Sequence, residues 1–167
     1  MTATQGAWIE DLTWPEIAAR IESATVLIPI GARAKEHGPH LPMQTDYLVA
    51  RALCDGIARE LPVLVAPVVD FGYYPAFVGY PGSQHLRPET FAAVLQDIVD
   101  GLIRHKAKRI AIVNTGVSTE GPVTVVARET LERTGVRIPV ANIRALGGGQ
   151  RGLMKQKIGR ASCRERV

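Results

Sequence analysis

Apolar and polar positions follow two different periods along the chain, and the two periods alternate. Continuous apolar runs rich in β-branched residues are typical of strands that are buried on both faces of a sheet. Stretches with apolar residues three or four positions apart are typical of helices with one buried face. The runs predict strands over residues 25–30, 63–69, 109–113 and 138–143. The stretches predict helices over residues 14–21, from residue 45 or 46 to 60, from residue 88 through 102, and over 121–134.

This order of elements predicts the fold class. Strands that alternate with helices, joined by long crossovers, are typical of a parallel sheet covered by helices on both faces, which is an α/β fold. In such sheets ligands bind beyond the carboxyl ends of the strands. We therefore expect the chemistry of the protein in the segments that follow Ile30, Val69, Val113 and Ile143.

Short signals mark several helix ends. Thr13 and Glu16 have the spacing of a capping box, which starts the first helix. Thr45 or Asp46 is suited to cap the second helix, and Gly135 is suited to end the fourth. The apolar face of the second helix is predicted to carry Val49, Leu53 and Ile57.

The composition is that of a globular protein. Hydrophobic residues make up 46% of the 167 residues and charged residues 22%, which excludes disorder for most of the chain. No apolar run reaches the roughly 18 residues that a membrane span needs. Residues 1–11 contain neither a basic nor an apolar leader segment, so we expect a cytoplasmic protein without a membrane partner. Cys54 and Cys163 lie far apart and predict neither a disulfide framework nor a zinc knuckle.

Candidate chemistry is concentrated in residues 31–46, which read GARAKEHGPHLPMQTD and follow the first predicted strand. His37 and His40 lie here, with Glu36 beside the first histidine and Asp46 nine positions after it. Imidazole and carboxylate groups are the ligands of zinc and manganese in hydrolase sites. A carboxylate at a helix N-terminus is also held ionised by the helix dipole, which suits a metal ligand. The alternative is that Asp46 only caps its helix.

Residues 28–46, IPIGARAKEHGPHLPMQTD, resemble the signature of the creatininase (creatinine amidohydrolase) family. The resemblance implies a three-layer α/β/α fold with a mostly parallel sheet, and a metal-dependent hydrolysis of a C–N bond in a small amide or cyclic amide. It also implies one or two zinc or manganese ions, a small-molecule substrate and a homo-oligomer. On this resemblance His37 and Asp46 are metal ligands, with Asp46 as the bridge, and His40 matches the second histidine of the family.

The chain departs from the family pattern at two points. The family glutamate ligand stands two residues before the first histidine, and Lys35 occupies that position here, with Glu36 next to His37. A lysine ammonium can replace one cation, which predicts a mononuclear or metal-free site. After the third strand the family has an asparagine and a histidine, whereas this chain keeps Asn114 and lacks the histidine. Glu120 either compensates for that loss or belongs to the first turn of the next helix.

From these matches and departures we assign the candidate site residues. Glu36, His37 and Asp46 are the candidate metal ligands, and a metal held by them would activate a water molecule and polarise an amide carbonyl. Lys35 and His40 are the candidate catalytic residues, which move protons or stabilise an oxyanion.

Residues 70–87 form a long segment rich in aromatic residues and glycine, which we expect to wall the pocket and select the substrate. For Phe71 and Phe77, packing against the sheet is the alternative. The hydroxyl groups of the three tyrosines favour a wet edge for Tyr73, Tyr74 and Tyr80.

Other functions remain open at this point. Lys35 and the missing histidine also fit a non-catalytic or metal-free binding or regulatory protein with the creatininase fold. Gly147, Gly148 and Gly149 suggest a phosphate or nucleotide binder, but they do not form a Gly-x-Gly-x-x-Gly turn between a strand and a helix. A sequence pI of about 9.3 suits a nucleic-acid partner if the positive charge belongs to the folded domain.

The last ten residues, IGRASCRERV, show neither a helix nor a strand period. They back-translate naturally to ATC GGA AGA GCG TCG TGT AGG GAA AGA GTG, which resembles the adapter oligonucleotide of short-read sequencing libraries. We therefore divide the chain into an incomplete creatininase-like domain over residues 1–157 and an artefactual tail over residues 158–167. Without the tail, 17 basic and 15 acidic residues leave a net charge of +2, and no nucleic-acid partner is expected.

Family members continue past this point with further strands of the sheet. We therefore interpret the chain as an N-terminal fragment that is inactive by itself, with an open apolar edge at residues 138–143.

Resequencing of the locus across Lys157 is expected to reveal genomic codons that differ from those of residues 158–167. The measurement uses DNA amplified directly from the source, because a library prepared with adapters would reproduce the ambiguity. A genomic read that continues through the codons of the tail would contradict the adapter interpretation.

Overall fold

The computed structural model describes residues 5–146; the glycine triplet and the segment interpreted as a tail lie outside them. Within the described residues the chain forms an α/β fold around a five-stranded parallel sheet. The strands are β1 (Ala7–Trp8), β2 (Thr25–Ile30), β3 (Leu64–Val65), β4 (Arg109–Asn114) and β5 (Val140–Asn142). Their order across the sheet is β1-β3-β2-β4-β5. The predicted fold class is confirmed.

The central strand β2 sets the register of the sheet. It pairs with β4 over its full length, from Thr25 beside Arg109 to Ile30 beside Asn114. On its other side it pairs with the shorter β3, and an isolated bridge joins Ile30 to Val69. Because the carboxyl ends of parallel strands meet at one edge, the loops that follow β2, β3 and β4 leave the sheet side by side.

The helices are α1 (Trp14–Ala18), α2 (Thr45–Glu60), α3 (Pro88–Arg104), α4 (Glu120–Thr134) and α5 (Ile143–Leu146). Two short 3-10 helices, Ile9–Asp11 and Pro75–Phe77, lie in the connections. Within residues 5–146, no helix combines the length and the apolar composition needed to cross a bilayer.

Alternate residues of β2 face different helices. Val26 belongs to the core cluster that includes Leu95 of α3 and Val123 of α4. Leu27, its neighbour, belongs to the second cluster, which includes Cys54 of α2. A strand that contributes to both clusters is buried on both faces, and the helices form one layer on each side of the sheet.

The buried face of α2 differs from the predicted one. The buried residues are Ala50, Cys54 and Ala58, each one position after a predicted residue. Leu53 and Ile57 border this cluster, and Val49 is exposed. Small side chains let the helix lie close to the sheet, and a Cβ added at Gly31 would lie 2.9 Å from the Cβ of Ala50. The pattern of large apolar residues therefore located the helix but missed its buried face by one position.

Three predicted elements are shorter in the structure. The strand predicted over 63–69 has a continuous ladder only at Leu64–Val65, because Pro67 has no N–H for the ladder, and it pairs again only at the bridge of Val69. The strand predicted over 138–143 is limited to Val140–Asn142, since α5 follows directly, and within the described residues it pairs with β4 alone. The helix predicted over 14–21 ends at Ala18. The two residues of β1 are too few to leave a periodic pattern.

The predicted helix ends are confirmed at two places and wrong at a third. The backbone N–H of Thr13 donates to the carboxylate of Glu16 at 2.8 Å, which is part of the predicted capping box. Gly135 follows α4 with a φ of 75°, a left-handed conformation that favours glycine. At the start of α2, however, the N-cap is Gln44 rather than Thr45 or Asp46, and the carboxylate of Asp46 is engaged elsewhere.

The substitution Leu95→Ala is expected to lower the free energy of unfolding by about 2–5 kcal/mol, because it leaves a cavity between α3 and the sheet. The matched control is Val94→Ala on the same helix, whose side chain is 39% exposed and should cost less than about 1 kcal/mol. Urea unfolding followed by circular dichroism measures both, and equal losses would contradict the assigned face of α3.

Candidate active site

The histidine loop, defined as residues 31–44, leaves the sheet at the end of β2 and leads into α2. Its backbone is held at both ends: the N–H of Gly31 donates to the carbonyl of Val69, and the N–H of Lys35 donates to that of Met43. A Cβ added at Gly31 would lie 2.5 Å from the carbonyl oxygen of Asp46, so only glycine lets the loop pass this close to α2. The close passage brings the side chains of the loop to the first turn of the helix.

Three side chains meet there and form the Lys-Asp-His cluster, which consists of Lys35, His37 and Asp46. Nζ of Lys35 lies 2.7 Å from Oδ2 of Asp46, and Nε2 of His37 lies 2.9 Å from Oδ1. The side chains are 13% exposed for Lys35 and His37 and 14% for Asp46. Each oxygen of one nearly buried carboxylate therefore has a nitrogen of its own beside it.

The ring of His37 is oriented from behind by the backbone. Nδ1 lies 2.8 Å from the carbonyl oxygen of Lys35, and because a carbonyl oxygen only accepts, this nitrogen carries the proton. Nε2 is buried and has no partner with hydrogen-bond geometry among the described residues, although Oδ1 of Asp46 is within ion-pair distance. A histidine held by a backbone carbonyl with its free nitrogen beside a carboxylate has the orientation of a metal ligand.

The carboxyl group of Asp46 is kept ionised by its neighbours. Burial by itself raises the pKa of this group, but the contact with His37 and the charge and hydrogen bond of Lys35 outweigh burial. The pKa of Asp46 therefore lies below its ordinary value. Its place in the first turn of α2 acts in the same direction, since the N-terminal end of a helix favours negative charge.

The aromatic loop, defined as residues 70–87, packs against the histidine loop. The backbone N–H of Gln84 donates to the carbonyl of Ala34, and that of Glu36 donates to Oγ of Ser83. The ring of Phe77 lies 4.9 Å from Nζ of Lys35, so that the ammonium is placed between a carboxylate and an aromatic face. This loop therefore contributes a wall to the cluster, as expected.

In this loop the expectation for Tyr74 is wrong, and the alternative given for Phe71 is excluded. Tyr74 lies in the interior rather than at a wet edge, because its hydroxyl reaches the carbonyl oxygens of Ala34 and Gln84, and a satisfied hydroxyl can be buried. Burial, followed by the negative charges of Asp46 and Asp70, raises the pKa of Tyr74 to about 12. Phe71 is exposed rather than packed against the sheet.

A narrow cleft opens beside the cluster at the carboxyl edge of the sheet, with room for about one water molecule. Its polar wall comes from two members of the cluster, Lys35 and Asp46, and from the segment after β4. The lining includes Lys35, Asp46, Tyr73, Tyr74, Ser118 and Thr119.

Sequence reasoning missed the role of the polar residues that follow β4. Oγ1 of Thr115 lies 2.9 Å from the carbonyl oxygen of Ile30 and 3.0 Å from that of Asp46, and the residue is 5% exposed. Asn114 accepts from Oγ1 of Thr119 at 2.8 Å and donates to Oδ1 of Asn142 at 2.9 Å. The available signal was the pair of polar residues, Asn114 and Thr115, at the end of the apolar run of β4, because buried polar side chains need hydrogen-bond partners.

The structure places the other candidate residues away from the cluster. Oε1 of Glu36 accepts from the backbone N–H of Gly38 at 2.6 Å and supports the turn at that glycine, whose φ is 83°. His40 is exposed on the outer part of the loop. Glu120 begins α4, as one of its two alternatives predicted, and its Oε1 is buried without a hydrogen-bond partner among the described residues.

The positions of the candidate residues determine which of them could act as ligands of one metal ion. His37 and Asp46 fit two ligands of one divalent ion, and the observation that supports the fit is the buried Nε2, which has no hydrogen-bond partner within residues 5–146. No group of three or more histidine, cysteine, aspartate or glutamate side chains suited to a metal occurs within residues 5–146. The ammonium of Lys35 occupies the side of the carboxylate that a second ion would need.

The fold and the cluster define a class: an α/β/α protein with an ionised carboxylate, an ammonium and an oriented imidazole at the carboxyl edge of a parallel sheet. The family model of creatininase, described as creatinine amidohydrolase, matches residues 10–162. The chain belongs to the creatininase family. The family match does not favour the alternative of a non-catalytic binding protein.

Individual relatives agree with this assignment. The creatinine amidohydrolase of Pseudomonas putida is 30% identical over 118 residues, which are 66% of this chain and 45% of that enzyme. A mycofactocin precursor peptide peptidase of Mycolicibacterium smegmatis is 34% identical over 64 residues, 35% of this chain and 26% of the peptidase. The chain therefore spans less than half of the length of these curated relatives.

Solved creatininase structures have the same fold. A manganese form, 25% identical in sequence, superposes with a TM-score of 0.79 over 90% of this chain and 63% of that one. A mutant creatininase of Zn-Zn type, 24% identical, has a TM-score of 0.79 over 97% of this chain and 67% of that one. Divalent metals thus occur in the family.

Replacement of the buried hydroxyl in Thr115→Val is expected to lower the free energy of unfolding by about 0.5–1.5 kcal/mol, because the hydrogen bond from the hydroxyl to the carbonyl of Asp46 is lost inside the protein. Thr115→Ser keeps the hydroxyl and is the matched control, with a loss limited to one methyl group. Urea unfolding in the presence of a chelator measures both. A valine variant as stable as the serine variant would show that the hydroxyl does not tie α2 to the sheet.

Proposed function

We propose that the protein is an amidohydrolase of the creatininase family that hydrolyses a C–N bond in a small amide or cyclic amide with the help of a divalent metal, zinc or manganese. The observation that carries the proposal is the arrangement of His37 and Asp46: Nε2, buried and unpartnered, lies 2.9 Å from an ionised carboxylate. Family membership supplies the reaction class. A small-molecule substrate and a homo-oligomeric assembly belong to the same proposal.

In this proposal His37 and Asp46 would hold the metal. When bound, it supplies Lewis-acid polarisation of the amide carbonyl and lowers the pKa of a coordinated water. The carbonyl of Lys35 keeps the Nδ1 proton on the far side of the imidazole, so that the lone pair of Nε2 is available as a ligand. Because Asp46 is only 14% exposed, little bulk water competes for its oxygens.

The remaining polar groups position charge around the cleft. Nζ of Lys35 donates to Oδ2 of Asp46 and lines the cleft, where an ammonium stabilises negative charge that develops on a substrate oxygen. The cleft has room for about one water molecule beside this donor and the Asp46 carboxylate, and hydrolysis consumes one water. His40, exposed on the outer loop, is assigned to proton exchange with solvent.

His37→Ala is expected to lower kcat/KM for amide hydrolysis by at least about 100-fold, because the mutation removes a ligand and not only its outer support. His105→Ala is the matched control, since His105 is an exposed histidine at the end of α3. The measurement uses protein expressed from the gene amplified across Lys157, with creatinine and linear amides as substrates and added Mn²⁺ or Zn²⁺.

Metal content is measured on the same preparations. Less than about half an equivalent of bound zinc or manganese, with no effect of His37→Ala on content or on rate, would contradict the proposal and favour the metal-free binding protein.

A further inference from the structure

We propose that the ammonium of Lys35 takes the place of a second cation on the Asp46 carboxylate, so that the site binds one divalent ion and no more. The inference rests on the proposed function, because it concerns the metal of that same site. It assigns the two oxygens of Asp46 different roles: Oδ1 belongs to the ion and Oδ2 to the lysine.

The two oxygens of the Asp46 carboxylate have different neighbours. A carboxylate that bridges two cations gives one oxygen to each. In this chain Oδ2 already has Nζ of Lys35 at 2.7 Å, which is the distance of a charge-assisted hydrogen bond. A second ion at Oδ2 would have to displace that ammonium. Oδ1 lies 2.9 Å from Nε2 of His37, which has no hydrogen-bond partner in the described part of the chain, so the place for one ion lies on the histidine side.

The ammonium of Lys35 is held in place from several directions. The backbone N–H of Lys35 donates to the carbonyl of Met43, which fixes where the side chain starts. Nζ lies 4.9 Å from the centre of the Phe77 ring, and an aromatic face attracts a cation. The lysine side chain is 13% exposed, so removing it from Asp46 would leave two nearly buried charges unpaired.

A second ion would also need further ligands. Glu36, the nearest other carboxylate in sequence, is turned to the backbone N–H of Gly38 at 2.6 Å. Histidine, cysteine, aspartate and glutamate side chains do not assemble into a group of three around any point in residues 5–146. A second ion on the lysine side would therefore meet an ammonium and no additional anionic ligand from the described part of the chain.

Lys35 thus also positions the other two members of the cluster. Its side chain neutralises one oxygen of Asp46, and its backbone carbonyl orients His37. Because the lysine balances the charge of Asp46 before any metal arrives, the cluster keeps its geometry without metal, and one ion then completes it at Oδ1.

The test measures Mn²⁺ binding to the chelator-stripped chain by isothermal titration calorimetry, together with thermal unfolding, which reports on the site independently of activity. The unsubstituted chain is expected to bind one equivalent of Mn²⁺, and His37→Ala to weaken binding by at least about 100-fold. Lys35→Glu replaces the ammonium with a carboxylate ligand and is expected to bind two equivalents. The spectrum of its bound manganese should show the exchange coupling of an Mn-Mn pair.

Lys35→Met removes the charge but keeps the length of the side chain, and it covers the case in which Lys35→Glu does not fold. Its unfolding temperature without metal should fall by several degrees, and added Mn²⁺ should raise that temperature by more than it does in the unsubstituted chain. Lys108→Met is the matched control, because Lys108 forms an exposed ion pair with Glu22 at 2.8 Å, far from any metal ligand, and should change neither quantity.

The outcomes separate the two proposals. Two equivalents of Mn²⁺ on the unsubstituted chain would overturn the inference about Lys35 and leave the metal-dependent hydrolase in place. The inference about Lys35 would also be overturned if Lys35→Met, Lys35→Glu and the unsubstituted chain bound the same number of Mn²⁺ ions with the same affinity. No binding in any variant would overturn both.

Discussion

The parallel register between β2 and β4 is the constraint on which the site depends. Because the two strands pair along six residues, Ile30 and Asn114 end side by side, and Thr115 emerges within reach of two carbonyl oxygens. One of these oxygens belongs to the strand and the other to Asp46 in the first turn of α2. A shift of one residue would turn the side chains of β4 to the opposite faces of the sheet and remove this connection. The distances within the Lys-Asp-His cluster are therefore a consequence of sheet pairing that the loops adjust only locally.

The burial of Asp46 explains why its neighbours are where they are. An ionised carboxylate that is nearly buried costs several kcal/mol unless it is paired and hydrogen-bonded. Lys35 supplies a full positive charge to one oxygen, and His37 approaches the other oxygen with a nitrogen that lacks a hydrogen-bond partner among the described residues. The cluster is therefore complete on the lysine side and incomplete on the histidine side. This asymmetry of a single side chain is the electrostatic feature that a metal or a proton at Nε2 would resolve.

The sequence allowed the layout of the fold and the place of the site to be predicted, because both depend on periods and on strand ends. The strand Thr25–Ile30 and the helix Thr45–Glu60 follow continuous patterns, and residues 31–46 carry most of the chemistry-bearing side chains. The buried face of α2 was missed because closeness to the sheet is decided by small residues such as Ala50, which carry little hydrophobic signal. The sequence pattern therefore identified the helix but not the face that it buries.

Side-chain direction was the part of the site that sequence could not give. Glu36 lies between two cluster residues in the chain, yet its carboxylate turns to Gly38, because a left-handed glycine presents a backbone N–H that needs an acceptor. Tyr74 was expected to be wet because it carries a hydroxyl, but two loop carbonyls converge on it. Hydrogen-bond partners of this kind come from segments far apart in sequence, and the hydrophobic period of the sequence carries no information about them.

The pair of Lys35 and Asp46 also bears on how metal binding would relate to folding. A site built from several carboxylates and a histidine is held apart by like charges until cations enter, so its metal-binding energy is partly spent on ordering the site. In this chain the Lys35–Asp46 pair forms between two elements that the sheet already brings together, and its net charge is zero before any ion arrives. On our proposal, ordering of the site belongs to folding and not to metal binding. On the same proposal less positive charge acts on a bound carbonyl, because one ammonium stands where a second divalent ion would. Preorganisation would then be gained where Lewis acidity is given up, and both effects would follow from one nitrogen 2.7 Å from one oxygen.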